Sequence, residues 1–264
     1  MRNGDSALMV VAVYPAVLGT YGDSGNATVL VARARQHGLT VDLRVIEPYA
    51  PVPASGDIYL LGGSDDAGQA GAVDALRQDG GLRRGVEGGA AVLAVCAGFQ
   101  LLGRCFPAGS RTVSGLGLLD ADSYRLPTRA VGELLTRPVT DLGVAELTGY
   151  ENHASGTVLG PEAVPLATIE QGIGNGDGTD GARQGGITAT YLHGPALARN
   201  ISLADHLLEH VVGPLGALPS PPYAERLRTE RVQAARAGAD RPRGPVQELF
   251  EQLSRRTRRS LAGR

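Results

Sequence analysis

The order of apolar and polar positions divides the chain into three stretches. In the first, short unbroken apolar runs alternate with segments of helical periodicity. Residues 8–14, 40–46, 57–61 and 91–95 predict strands, and residues 24–36, 69–78 and 97–103 predict helices between or after them. The first helix opens on Ser24, Gly25 and Asn26 and closes before Gly38, the capping chemistry expected at its two ends. Strands that are apolar throughout need cover on both faces. Strung between helices, they imply an α/β fold with a mostly parallel central sheet covered by helices.

From about 110 to 160 the pattern changes to shorter strands and more frequent turns, as expected of antiparallel strands or long loops. Residues 172–186, with seven Gly, have no periodicity and read as a mobile surface loop. A further strand at 187–192 and an amphipathic helix at 196–212 restore the earlier alternation. The third stretch begins at Pro219. Residues 219–264 hold 11 Arg against 5 acids, whereas the whole chain carries a net charge of −2. Residues 1–218 therefore read as the domain and 219–264 as an Arg-rich extension, partly helical or disordered. A helical pattern at 246–253 lies ahead of Arg255, Arg256, Arg258 and Arg259. The plain reading of this extension is a solvated segment; the other is a docking segment for an acidic partner or RNA.

Composition narrows the chemistry. All 25 basic residues are Arg. A chain without Lys forms no lysine Schiff base and has no P-loop lysine, so ATP chemistry by that route belongs elsewhere. With no Trp and 3 Phe, the core must be aliphatic. Two Cys supply neither a disulfide framework nor a zinc-finger spacing, and no apolar run is long enough to span a membrane. A reducing cytoplasm is the expected location, and no metal site is expected.

The candidate chemistry lies at the carboxyl ends of predicted strands. In Val95-Cys96-Ala97-Gly98-Phe99-Gln100 an apolar strand runs directly into a Cys, two small residues and a helix. That is the pattern of a nucleophile elbow, which exposes the sulfur at a helix N-terminus where the dipole favours thiolate. A lone Cys is otherwise a core side chain, the reading given to Cys105. Tyr191-Leu192-His193-Gly194-Pro195 also follows a strand, placing His193 at the same sheet edge as a candidate base. The backbone N–H of Ala97 and one from Gly62-Gly63 are candidate oxyanion donors.

Taken together these segments resemble the class I glutamine amidotransferases, specifically the cobyric-acid-synthase-like group. The resemblance rests on Cys96-x-Gly98-x-Gln100, Gly62-Gly63, His193 and Gly149-Tyr150-Glu151-Asn152-His153. It extends over residues 8–213. It implies a flavodoxin-like fold and hydrolysis of L-glutamine through a Cys96 thioester, with His193 as base and Gly63 and Ala97 as oxyanion donors. It also implies that Gln100 and Arg129 bind the substrate, and that His153 is a structural histidine beside the site. Tyr21-Gly22-Asp23-Ser24-Gly25-Asn26 and Tyr191-Leu192-His193-Gly194-Pro195-x-Leu197-x-Arg199-Asn200 are similar to one branch, the glutaminase subunits of lipid II isoglutaminyl synthases. That branch implies a heterodimer with a Mur-ligase-like synthetase, which holds the ATP and Mg. This chain then needs no cofactor. The product would be D-isoglutamine in peptidoglycan. Corrinoid amidation and a non-catalytic partner module are the alternatives. One departure stands out. Class I enzymes place a Glu two residues after the catalytic His, and this chain has Pro195. The expected source of the missing carboxylate is the partner ligase, with Glu151 the candidate within the chain.

Overall fold

The computed structural model describes residues 7–140, 142 and 146–239. In chain order the elements begin with β1 (Leu8–Val13), α1 (Gly25–Gln36), β2 (Val41–Ile46), β3 (Ile58–Leu61), α2 (Asp66–Asp79) and α3 (Gly81–Glu87). There follow β4 (Ala91–Val95), α4 (Ala97–Leu102), β5 (Cys105–Ala108), β6 (Arg111–Ser114), β7 (Ala121–Pro138) and β8 (Leu147–Leu159). The last are β9 (Ala167–Gln171), β10 (Thr179–Asp180), β11 (Ala182–Gln184), β12 (Ile187–Thr190), α5 (Ala196–Arg199), α6 (Ile201–Val212) and α7 (Pro222–Ala239).

Two sheets form. The first has the order β11-β12-β4-β3-β1-β2 and is parallel except for β11. Every residue of β3, β4 and β12 is buried, as the unbroken apolar runs require when helices cover both faces. α1 packs with α6 on one side, and α2 packs with α4 on the other. The carboxyl ends of β3, β4 and β12 lie side by side, so Gly62, Cys96 and Tyr191 emerge at one edge.

The second sheet, β10-β9-β7-β5-β6 with β8 on β7, corrects the expectation of short strands. β7 runs for 18 residues and β8 for 13. A register shift between Arg125 and Ala130 interrupts their pairing and bends the ribbon. That break, together with Pro127 and Gly132 inside β7, hides the alternation of a strand. The segment 172–186 is corrected as well. It contributes β10 and β11, and Asn175 and Asp180 are fully buried. The Asn175 amide donates to Thr179 Oγ1 and the Gly181 carbonyl, and Asn175 Oδ1 accepts from the Gly181 N–H. The Gly content serves this tight packing: Gly174 and Gly181 take φ of 50° and 66°.

The helix expected over 196–212 is two helices broken at Asn200. The break is a clamp. Asn200 Oδ1 accepts the Thr148 N–H, and its amide donates to the Thr148 and Ala196 carbonyls. Asn26 holds the other end of α5 by accepting the Leu197 N–H. Buried Arg33 forks onto Asp205 of α6 and donates to the Leu218 and Pro219 carbonyls, which ties the segment entering the extension to α1. Part of that extension is a docked helix, α7. Val232 and Ala235 of α7 are buried with Leu135 of β7, so this part of the 219–264 extension is helical and is docked along one edge. The helical pattern at 246–253 lies outside the described residues.

Asn200→Ala would leave the buried N–H and C=O of Thr148 without partners. It is expected to destabilise the fold by about 2–4 kcal/mol, read from the urea midpoint. A loss below about 0.5 kcal/mol would remove the clamp from this account.

Candidate active site

The elbow is built by strand, turn and helix. β4 delivers Cys96, whose N–H donates to the Thr190 carbonyl of β12 at 2.9 Å. Cys96 then takes φ 54° and ψ −103°, a strained backbone for a residue with a Cβ, and α4 starts at the next residue. Such strain costs about 1–3 kcal/mol and persists only where the surroundings enforce it. Here they do. Gly98 lies so close to β3 that a Cβ would stand 2.7 Å from the Leu61 carbonyl oxygen. The Ala97 N–H, first in its helix, has no intrahelical acceptor and is available beside the sulfur.

His193 reaches the sulfur from the neighbouring strand end. Its backbone is held by β8: the His193 N–H donates to the Tyr150 carbonyl at 2.8 Å, and the Tyr150 N–H donates to the His193 carbonyl at 3.1 Å. Gly149 is required there, since a Cβ would meet Leu192 at 2.7 Å and the His193 oxygen at 3.0 Å. This accounts for the Gly149-Tyr150 part of the motif. The His193 side chain is fully buried, with the Tyr21 ring edge-on at 5.0 Å.

A carboxylate of this chain sits on His193, and it is Asp23 rather than Glu151. Asp23 Oδ2 accepts from His193 Nδ1 at 2.8 Å, both side chains fully buried. That bond puts the proton on Nδ1 and turns Nε2, buried without a well-formed hydrogen bond, toward the sulfur. Burial alone would lower the His193 pKa. The hydrogen bond that His193 donates to Asp23 and the adjoining Cys96 sulfur outweigh it and push the value up to about 10. A protonated imidazole facing the Cys96 sulfur is therefore the state of His193 favoured at neutral pH. Pro195, in the family's Glu position, packs on the turn that carries Asp23: a Cβ on Gly25 would stand 2.5 Å from Pro195 Cγ. The segment from Tyr21 to Asn26 stands out in the sequence as a motif, but no spacing rule links position 23 to position 193.

Gly63 is the second correction. Its N–H donates to Asp23 Oδ2 at 2.8 Å, while the Gly62 carbonyl accepts from the Gly98 N–H at 3.0 Å. In this structure the Gly63 N–H is committed to the carboxylate and does not stand open as an oxyanion donor. Gly63 is nevertheless pressed into the site, since a Cβ there would stand 2.8 Å from His193 Cε1.

The remaining candidates surround this centre. Gln100 is buried below the elbow, its Oε1 accepting from Gln69 Nε2 at 3.0 Å. Arg129 lies exposed at the rim, donating from Nε to Asn152 Oδ1 at 2.6 Å and from Nη2 to the Tyr21 hydroxyl at 3.3 Å. Glu151 faces away from His193. It accepts the Ile173 and Gly174 N–H groups and pairs with His153 at 3.2 Å, and the His153 ring stacks on Tyr191 at 3.9 Å. Asp180 is buried behind the same loop and accepts from Thr190 Oγ1 and the Tyr191 N–H. Burial, only partly offset by those two hydrogen bonds, pushes its pKa up to about 6. Cys105 is half-buried on β5, its thiol donating to Asp122 Oδ1 at 3.3 Å. Among the described residues no three His, Cys, Asp or Glu side chains group to hold a metal.

The His193–Asp23 pair gives stability a pH dependence. A histidine whose folded pKa of about 10 exceeds its unfolded value stabilises the fold fully below about pH 6.5. That contribution disappears as pH rises toward the folded value. Asp23→Asn removes the partner, so the Tm gap between wild type and variant should be widest near about pH 6.5 and close toward about pH 10. A gap that widened across this range would contradict the pairing.

Comparisons with known proteins identify the family. Residues 9–201 match the family described as the CobB/CobQ-like glutamine amidotransferase domain. The chain is 30% identical over 196 residues to the "Lipid II isoglutaminyl synthase (glutamine-hydrolyzing) subunit GatD" of Staphylococcus aureus, a match spanning 73% of this chain and 79% of that one. It is 36% identical over 168 residues to a cobyric acid synthase of Cereibacter sphaeroides, covering 61% of this chain but 33% of that protein. Among solved structures, a glutamine amidotransferase aligns with TM-score 0.54 at 20% identity, over 78% of this chain and 99% of the other. A second, from Thermotoga maritima, aligns with TM-score 0.51 at 16% identity, over 89% and 91%. The fold is thus that of the glutamine amidotransferases, and the chain belongs to the CobB/CobQ-like glutamine amidotransferase family.

Proposed function

We propose that this protein is the glutaminase subunit of a lipid II isoglutaminyl synthase. The observation that carries the chemistry is the buried relay from Asp23 through His193 to Cys96. The Cys96 thiolate attacks the side-chain carbonyl carbon of L-glutamine. The C–N bond breaks, and ammonia leaves with a proton from His193 Nε2. Neutral His193 then takes a proton from water as the water oxygen attacks the glutamyl thioester, releasing glutamate and restoring the thiolate–imidazolium pair. The Ala97 N–H stabilises the tetrahedral oxyanions. The Gly63 N–H joins it only where the Asp23 bond yields. Arg129 at the rim offers a planar donor for the α-carboxylate of glutamine, and Gln100 supports the elbow from below.

The acceptor side follows from the relative whose printed name is GatD. Ammonia would pass to a Mur-ligase-like partner that binds ATP and Mg and amidates the D-Glu α-carboxylate of lipid II. In this reading the complex serves peptidoglycan synthesis and works in the cytoplasm. Among the described residues no helix is long and apolar enough to cross a membrane. Corrinoid amidation is the second reading, supported by the cobyric acid synthase match. The acceptor that gains nitrogen from amide-labelled glutamine separates the two.

The test is ammonia release from glutamine. With the carboxylate in cis, the purified chain should turn over glutamine without a partner. Cys96→Ala should abolish the activity, and Asp23→Asn should lower kcat by about 10²–10⁴-fold. Turnover that requires the partner, with Asp23→Asn no worse than wild type in the complex, would return the carboxylate to the partner.

A further inference from the structure

The helix α7 lies outside the residues that match the family, yet it packs on α5, the helix that follows the His193 loop, and on β7 and β8. Its inner face carries Val232 and Ala235, buried with Leu135, and a row of Arg side chains that meet acids in or next to the second sheet. Arg228 donates to the Glu146 carbonyl at 2.6 Å and to its Oε2 at 3.1 Å. Arg236 bridges Glu170 at 2.7 Å and Glu146 at 2.8 Å. Arg231 lies 3.8 Å from Glu133 of β7.

Glu133 is the junction. Its other oxygen accepts from Arg199 Nη1 at 2.7 Å. Arg199 ends the short helix that follows His193-Gly194-Pro195. A Cβ on Gly194, which takes φ 127°, would stand 3.2 Å from Arg199 Nε, so the guanidinium stem is packed against the loop backbone. Glu133 is also opposite Tyr150 in the ladder, and the Tyr150 backbone carries both hydrogen bonds to the His193 backbone. Both supports of the His193 loop therefore meet at Glu133, the β8 ladder through its backbone and the Arg199 stem through its carboxylate, which also faces Arg231 of α7.

We propose that α7 is a brace in cis, in which Arg231 and Glu133 act as positioning residues for the His193 loop from outside the family domain. An exposed ion pair contributes little alone, but this one shares Glu133 with a half-buried Arg199 and is seated by a buried apolar contact, so the pairs act as a network. Loosening the brace changes where the imidazole sits relative to the sulfur and leaves the glutamine subsite intact. Small misplacements of a catalytic group reduce turnover far more than binding.

The inference rests on the glutaminase reading, and the test separates the two. In the full chain, Val232→Asp/Ala235→Asp should unseat α7, seen as rapid tryptic cleavage within 222–239. Kinetically, kcat should fall about tenfold with KM for glutamine within about twofold of wild type. Arg231→Glu, which sets like charges together without touching the apolar contact, should do the same in part, and Arg231→Lys should restore turnover. Tyr223→Ser, on the exposed side of α7, should change nothing. The readout that separates misplacement from destabilisation is Cys96 alkylation by iodoacetamide, taken well below the Tm of each variant, where the chain stays folded. Its rate at pH 6 relative to pH 9 should fall several-fold in the unseated variant. A wild-type chain inert toward glutamine would defeat the glutaminase reading while the alkylation ratio still reports on the brace. An active wild type, with an unseated variant of unchanged kcat and unchanged ratio, would overturn the brace.

Discussion

A buried carboxylate organises this site. Asp23 Oδ2 accepts at once from the His193 ring and from the Gly63 backbone, at 2.8 Å each. It thereby joins the turn before α1, the loop after β3 and the loop after β12, three segments far apart in the chain. A fully buried anion is tolerable only when it is paired and hydrogen-bonded. The pairing that makes Asp23 tolerable is also what raises the His193 pKa and fixes its tautomer. Stability and reactivity here depend on the same two contacts.

The two sheets divide the work. The parallel sheet supplies the strained elbow, and its tight packing is what enforces a φ of 54° on Cys96. The antiparallel ribbon supplies alignment, since the backbone of β8 takes both hydrogen bonds of the His193 peptide groups. Between them lies a buried polar layer in which His153 stacks on Tyr191 and Glu151 holds the backbone at Ile173 and Gly174. Side chains in this layer fix the strand ends from which reacting atoms emerge.

Much of this was legible in the sequence, and the boundary is physical. The parallel core was readable because strands buried on both faces must be continuously apolar, and β4 spans the residues its pattern predicts. Cys96 and His193 were readable because small residues and Gly after a strand mark sharp turns at a sheet edge. Asp23 was not, because its role depends on a contact across 170 positions that no local rule describes. Nor was Gly63's commitment to that carboxylate, which depends on the direction of one peptide plane. The ribbon was misread because Pro127, Gly132 and a register shift interrupt its period. The segment 172–186 was misread because many Gly suit tight buried turns as well as loose loops.

The placement of α6 separates what is recognisable from what folds. The family match ends at residue 201, where α6 begins, yet Leu203, Ala204, Leu207 and Leu208 are buried in the main core. Arg33 then fastens the chain at Leu218 and Pro219 beyond it. An expression fragment or gene fusion cut where the family match ends would leave an apolar trough over β3 and β4 open to water. The inheritable unit of this architecture extends past its recognisable signature, and a recombination point compatible with folding lies no earlier than the residues that follow Pro219.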